Sequence, residues 1–470
     1  MSSDKFGLIV LGGGSAGLTA ARFANELGVK VLLAERNKIG GDCTWIGCIP
    51  SKTLIKVANI AQEMRTADRF GLPSMEPPID LSKVMNHVQD VVQEIYAEET
   101  PERLQKQGIE VILGNPTFVD SKTISIDSQE IAGDKFLICT GARPFIPPVK
   151  GLSKTDFHTY ETIFSLSELP KSLIVIGGGP IGCELSQAFK RLGSQVTILT
   201  NVSRLMPRDE PEASKIILRV FEKEGIKLHF NSGISKVWQK KDGIHVQDKE
   251  NEIVGDALLV AVGRRPNIEN LGLENAKVDY SERGILIDQK LRTSQKHIFA
   301  AGDCVADNLQ FTHYAGFQGW IAARNALLPG SSTGQLDAAS IPWTTFTSPE
   351  IAHVGIMENK ARKRYSKVKT YICGFDMVDR ARTDSSTDGF LKLILKNDGT
   401  IIGATIVSAR AGESLQEWVA AIKHEMNISD IASHIHVYPT YTSLAMDMAA
   451  TISLESFLSS AKGKIVRFFT

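Results

Sequence analysis

The sequence predicts an α/β protein with two Rossmann-like dinucleotide-binding domains and a C-terminal α+β module. Three observations carry this. The chain has 470 residues, too many for one hydrophobic core and enough for about three domains of ~150 residues each. A unit of strand, glycine turn, helix and strand occurs twice, over 6–36 and 171–200. After Gln335 the pattern shifts to hairpin strands and helices, an α+β module.

The repeats read FGLIVLGGGSAGLTAARFANELGVKVLLAER and KSLIVIGGGPIGCELSQAFKRLGSQVTILT. Each carries GxGxxG, first as Gly12, Gly14 and Gly17, then as Gly177, Gly179 and Gly182. The first glycine permits the tight turn. The second lets backbone approach a pyrophosphate, and the third lets helix pack on strand. One such motif is weak evidence, since glycines punctuate ordinary turns. Two, each between a strand and a helix, point to two dinucleotide sites. Eighteen residues after Gly17 stands Glu35, where an acid takes adenosine ribose hydroxyls; eighteen after Gly182 stands Thr200. The second unit thus lacks the carboxylate that would repel a ribose 2′-phosphate. Arg204 and Arg208, just downstream, read either as ligands of that phosphate or as solvated surface.

Between and beyond the repeats, KFLICTGARP (135–144), ALLVAVGRRPN (257–267) and HIFAAGDC (297–304) are apolar and unalternating, as buried parallel strands are. TTFTSPEIAHVG, GFLKLILKNDGTIIGATIVS and SLQEWVAAIKHEM supply the hairpins and helix of the last module.

Lys plus Arg balance Asp plus Glu, 53 against 53. No general nucleic-acid or anionic-membrane face is implied. No apolar run reaches the roughly 18 residues of a membrane span. Phe6 to Leu11 opens a strand with no cleavable leader ahead of it. The expectation is a cytoplasmic chain, or an organellar one whose leader was removed. Four of the six cysteines, Cys139, Cys183, Cys304 and Cys373, are scattered singly and are expected to pack as small buried groups.

The other two lie in GGDCTWIGCIPSK, Cys43 and Cys48, with four residues between them. Structural zinc wants four ligands, usually in paired clusters, and no second cluster exists; no metal site is expected. A purely structural disulfide is out of place in a chain that reads as intracellular. A redox pair is left. PSKTLIKVANIAQEM reads as a helix, and a helix N-terminus and a nearby cation both favour the thiolate. Lys52, four residues after Cys48, shares its face if both are helical.

Taken together, Cx4C followed by PSK, two GxGxxG units, CTGARP, AVGRRPN, IFAAGD and TTFTSPEIAHVG resemble the pyridine nucleotide-disulfide oxidoreductases. The resemblance runs in order over nearly the whole chain. It implies FAD on the first unit, through Gly12, Gly14, Gly17, Glu35, Thr140, Gly141 and Asp303. It implies NADPH or NADH on the second, through Gly177, Gly179, Gly182, Thr200, Arg204 and Gly263. It divides the chain into 1–150 and 266–340 for the FAD domain, 151–265 for the NAD(P) domain and 341–470 for a dimerisation domain. Cys48 would be the thiol beside the flavin, in a charge-transfer pair, and Cys43 the interchange thiol that meets substrate. Lys52 would lie near the flavin and pair with Glu184.

The family motif His-Pro-Thr-x-Ser-Glu, which arrives from the partner subunit of a homodimer, is altered here. The chain reads HIHVYPTYTS, with Tyr438 in the His place and Ser443 in the Glu place. An ordinary Tyr titrates near pH ~10 and is a poor base at neutrality. His436 is the nearby substitute, or else a structural residue. Tyr at this place looks like mercuric reductase, though that enzyme's C-terminal Cys pair is missing from GKIVRFFT. Asp42 and Trp45 also depart from the usual Gly-Gly-Thr-Cys-x-Asn-x-Gly-Cys and are expected to shape a substrate entrance. The expectation is a homodimeric NAD(P)H oxidoreductase using FAD, with a small-molecule or metal-ion acceptor. Dihydrolipoamide dehydrogenase is the alternative, and a flavin-bound scaffold with vestigial turnover is the alternative of another class.

Overall fold

The computed structural model describes residues 5–249, 251–328, 330, 340–461 and 464–466. The shift of pattern at Gln335 and part of the GKIVRFFT end lie outside them.

The first sheet runs Glu110–Leu113, Val31–Glu35, Phe6–Leu11, Gln129–Ile138, Thr123–Ile126, Thr117–Asp120, and Ile298–Ala300 also pairs with Gln129–Ile138. Its centre is parallel, with Leu8 opposite Val31 and Lys135. Leu8, Ile9, Val10 and Leu11 are fully buried, each worth ~1.5–3 kcal/mol of apolar burial. Burial on both faces explains why this strand does not alternate. Ile298–Ala300 returns the chain to this sheet after the whole second unit. The second sheet orders Lys227–His229, Gln195–Leu199, Ser172–Ile176 and Ala257–Val260, all parallel.

The sequence reading missed an antiparallel sheet of Ile234–Lys240, Gly243–Asp248 and Asn251–Gly255. Its strands mix polar and apolar residues and have no long apolar run to announce them. The two nucleotide units are sewn together where Ala142–Pro144 pairs antiparallel with Arg264–Pro266.

The C-terminal module is a five-stranded antiparallel sheet, ordered Trp343–Thr345, Glu350–Gly355, Ile401–Ser408, Phe390–Lys396, Val368–Gly374. Lys392 in it is buried and meets Glu210 at 2.9 Å, Glu212 at 3.1 Å and Glu358 at 2.7 Å. Glu210 and Glu212 belong to the segment after the second nucleotide strand pair, so this cluster bolts the two modules together. Breaking a buried ion pair on one side costs about 3–5 kcal/mol. Cys139, Cys183 and Cys304 are buried as expected, whereas Cys373 is only partly covered, on the outer strand of this sheet. Among the described residues no helix is long and apolar enough to cross a membrane.

Candidate active site

The two glycine loops have the same backbone. Gly12 and Gly177 take φ of +109° and +125°, a region an L side chain resists. A Cβ on Gly17 would lie 1.8 Å from the Gly12 carbonyl oxygen, and one on Gly182 2.1 Å from that of Gly177. The helices Ser15–Glu26 and Pro180–Leu192 therefore start hard against their strands, with their N-termini at the loops. A Cβ on Gly179 would meet nothing within 4 Å, and one on Gly14 would meet only the Cα of Gly41. Both loops thus keep an open cradle where a phosphate would sit. Glu35 is held at the rim of the first, accepting from Gly13 N–H at 2.7 Å and Asn37 N–H at 2.8 Å. In the second, Thr200 occupies the same place beside Gly178 and is buried.

Cys43 lies in the short helix Gly41–Trp45, and Cys48 is the first residue of Cys48–Arg65. Both are free thiols here. Cys48 Sγ stands 3.2 Å from Thr312 Oγ1, which opens another helix, Thr312–Leu327. Two helix N-termini therefore converge on one sulfur. The hydrogen bond from Cys43 holds the Cys48 thiol well below its ordinary value; burial opposes this, and Thr312 and the Lys52 charge add to it. Cys43 moves the other way, raised by that same bond and by burial. The reduced pair thus carries a thiolate at Cys48 and keeps its proton at Cys43. Thr312 was not found from the sequence; its only signal was a threonine opening a helix.

Lys52 Nζ reaches Glu184 Oε2 at 2.8 Å and lies 4.4 Å from the centre of the Phe346 ring. Glu184 Oε1 accepts from Phe346 N–H at 2.8 Å. One carboxylate joins the thiol helix, the second nucleotide helix and the C-terminal module.

Other residues singled out in the sequence fall differently. Thr140 donates its hydroxyl to the Asn267 carbonyl at 2.6 Å, so it serves the junction between units. Gly141 and Gly263, both at positive φ, take part in the same junction: Gly141 accepts from Asn267 N–H and Gly263 from Phe145 N–H. Arg204 spends its guanidinium on Ser214 Oγ and the carbonyls of Pro207 and Asp209, at 2.7–2.9 Å. That is the bond pattern of a loop brace, and Arg208 is left exposed. Trp45 is tied down within its own segment. Its Nε1–H donates to the Ile39 carbonyl at 2.7 Å, and its ring packs on Tyr96 at 4.7 Å. Asp42 is turned to Arg264, which also binds Asp303.

In the C-terminal module, Tyr438 is 69% exposed and donates to Asp379 Oδ2 at 2.7 Å. That bond raises its pKa and keeps it protonated. His436 is not free to replace a base: Nε2 contacts both oxygens of Glu417 at 2.9 and 3.0 Å, Nδ1 faces the His434 carbonyl at 3.2 Å, and the side chain is largely buried. Ser443 is buried and donates to the Thr440 carbonyl at 2.8 Å.

Residues 6–319 match the family described as Pyridine nucleotide-disulphide oxidoreductase, and 341–449 match its dimerisation domain. A mercuric reductase of Staphylococcus aureus is 35% identical over 441 residues, covering 93% of this chain and 80% of its own. A dihydrolipoyl dehydrogenase of Bacillus subtilis (strain 168) is 33% identical over 458 residues, covering 95% and 99%. Among solved structures, the HOCl-induced flavoprotein disulfide reductase RclA from Escherichia coli superposes with TM-score 0.87 at 26% identity, covering 95% of this chain and 100% of that one. Two open phosphate cradles, a polarised dithiol and a C-terminal dimerisation module meet in one chain, and with these matches they place it in the pyridine nucleotide-disulphide oxidoreductase family, as an oxidoreductase of FAD and NAD(P)H.

Proposed function

We propose that this enzyme reduces an acceptor that draws no proton from a histidine base. The acceptor class is a soft metal ion, as for a mercuric reductase, or a specialised disulfide. The observation that carries this is the Tyr438–Asp379 pair, a fixed protonated hydroxyl where the resemblance calls for a histidine. Bound FAD supplies the two-electron relay between nicotinamide and disulfide. Gly12, Gly14, Gly17 and Glu35 would hold it, with Asp303, and the second cradle would take NAD(P)H. Two electrons and one proton convert the Cys43–Cys48 disulfide to the Cys48 thiolate and the Cys43 thiol. Cys43 passes two electrons on, its proton leaves to solvent, and the disulfide closes again. Two soft sulfurs suit a soft metal ion, which needs no histidine to carry the Cys43 proton away.

The site is completed in the homodimer, with Tyr438 of the partner subunit opposite Cys43. Ile435, Val437 and Met377, 98%, 76% and 66% exposed in the isolated chain, fit a face that a second copy covers. The name of the Staphylococcus aureus relative supports the metal reading. That of the Bacillus subtilis relative supports a dihydrolipoamide dehydrogenase, against which Tyr438 stands.

The test is steady-state turnover of Hg(II), small disulfides, quinones and lipoamide with both nicotinamides. Lipoamide turnover should be slow while NAD(P)H reduces the flavin quickly. Tyr438→His should raise lipoamide turnover about tenfold or more, part of the 10²–10⁴ that acid–base catalysis supplies. Asp379 already stands ready to hold the new imidazole, whereas a glutamate at buried Ser443 would be crowded. Wild-type lipoamide turnover as fast as flavin reduction would refute the proposal. Bound flavin that NAD(P)H cannot reduce would favour a scaffold.

A further inference from the structure

Asp42 directly precedes the interchange thiol, where the usual pattern has threonine. Its neighbour Gly41 lies against the first phosphate cradle, so close that a Cβ on Gly41 would be 2.8 Å from the Gly14 Cα. A carboxylate beside a cradle for an anionic group is unfavourable unless it is paired. Its partner is Arg264, which crosses from the far end of the second unit. Arg264 is 17% exposed, Asp303 12% and Asp42 37%. Nη2 of Arg264 binds Asp42 Oδ2, Nη1 binds Asp303 Oδ2, and Nε–H donates to the Tyr160 hydroxyl at 3.1 Å. The Tyr160 hydroxyl in turn faces Asp42 Oδ2 at 3.5 Å. One planar fork thus serves three groups on three segments, an arrangement that lysine, with one compact charge, does not reproduce.

We propose that Arg264 is a positioning residue for the dithiol segment: by bridging Asp42 and Asp303 it makes an aspartate tolerable beside the FAD cradle and fixes the turn that carries Cys43. The proposal rests on the family's use of FAD at the first unit. Without Arg264, the Asp42 and Asp303 carboxylates would lose the guanidinium that joins them. Asp42, the departure, is therefore paired with an arginine of the shared AVGRRPN motif, and removing the acid should remove part of the need for the base.

The experiment is a double-mutant cycle on the full-length holoenzyme and its FAD-stripped form, with Arg264→Met, Asp42→Thr and the double variant. FAD dissociation constants come from flavin fluorescence on reconstitution. The long-wavelength absorbance of the two-electron-reduced protein reports whether the Cys48 thiolate still meets the flavin. Arg264→Met should weaken FAD about tenfold or more and diminish the band. Asp42→Thr alone should stay within about threefold of wild type. The double variant should recover part of the loss, since Asp303 stays unpaired, giving a clear coupling. If Arg264→Met does not fold, the same cycle runs on Arg264→Lys, which keeps a charge and should be rescued in the same direction. Wild-type tightness in the single Arg264 variant, or a double variant as weak as the single, would overturn the proposal. Failure of the wild-type protein to bind FAD would instead strike at the cofactor assignment.

Discussion

The two nucleotide units share a backbone and differ in what stands over it. In each, a Cβ on the motif's third glycine would strike the first glycine's carbonyl oxygen, and the residue at the end of the second strand sits beside the glycine that follows the first, Glu35 beside Gly13 and Thr200 beside Gly178. Over the first cradle lies the dithiol segment, with Gly41 against Gly14 and Thr312 against Cys48. Over the second, a Cβ on Gly179 would find nothing within 4 Å. The difference teaches how one fold serves two kinds of cofactor. A cradle roofed by the rest of its domain suits a cofactor that stays, and an unroofed one suits a coenzyme that enters and leaves each cycle.

The largest effects come from breaking each cradle in turn. Gly17→Ala puts a methyl group 1.8 Å from the Gly12 oxygen, and the helix must move off its strand. The protein should purify colourless and reject added FAD. Gly182→Ala makes the matching clash at 2.1 Å from the Gly177 oxygen. It should stay yellow but resist reduction by NAD(P)H, while dithionite still reduces it. Absorbance near the flavin maximum reads both. A Gly182→Ala protein reduced by NAD(P)H at the wild-type rate would break the division of labour.

Those glycines were legible because they must be glycine, and a backbone constraint leaves a mark in sequence. The strands were legible for a similar reason, since burial on both faces demands an unbroken apolar run. Cys43, Cys48, Lys52 and Glu184 were found by spacing and resemblance, and the structure brings all four together. Thr312 was hidden because it lies 264 residues from Cys48, and a threonine at a helix start is common for other reasons. Asp379 was hidden likewise, for nothing local ties it to Tyr438. Trp45 and Asp42 were seen as departures, but without their partners. A sequence shows that a residue is unusual, while its partner, Ile39 or Arg264, is set by tertiary packing.

A middle-sized effect tests what the roof adds to the first unit. The Cys48 thiol is held below the ordinary value of about 8.5. Thiolate is therefore present at neutral pH and is lost as pH falls through the lowered value. Thr312→Val and Lys52→Met each remove support for the thiolate, so each should move that loss to higher pH. About one pH unit is expected for Thr312→Val, as one hydrogen bond to a charged group is worth ~1.5–3 kcal/mol before solvent replaces it. The pH titration of the charge-transfer band measures it. Cys43→Ser should show the band without reductant, and Cys48→Ser should lack it. The reverse pattern would exchange the two thiols' roles.

The smallest effect concerns the strand ends, where the two units differ by one side chain. Thr200 in the second unit stands where Glu35 stands in the first, beside Gly178 and Gly13 respectively. A carboxylate there repels a ribose 2′-phosphate and a threonine does not, so NADPH should serve at least as well as NADH. Thr200→Glu writes the first unit's ending onto the second. It should lower kcat/KM for NADPH about tenfold relative to NADH, ~1.4 kcal/mol of charge repulsion at a partly screened site. Arg204 is braced into its own loop by three hydrogen bonds. Arg204→Ala should therefore lower Tm and leave the coenzyme ratio nearly unchanged. Exposed Arg208 is free to turn toward a phosphate, and Arg208→Ala should shift the ratio toward NADH. Initial-rate kinetics with both coenzymes decide the matter. A wild-type preference for NADH that Arg208→Ala leaves in place would show that the missing carboxylate does not select the coenzyme, and that the second cradle discriminates through some group other than its strand end.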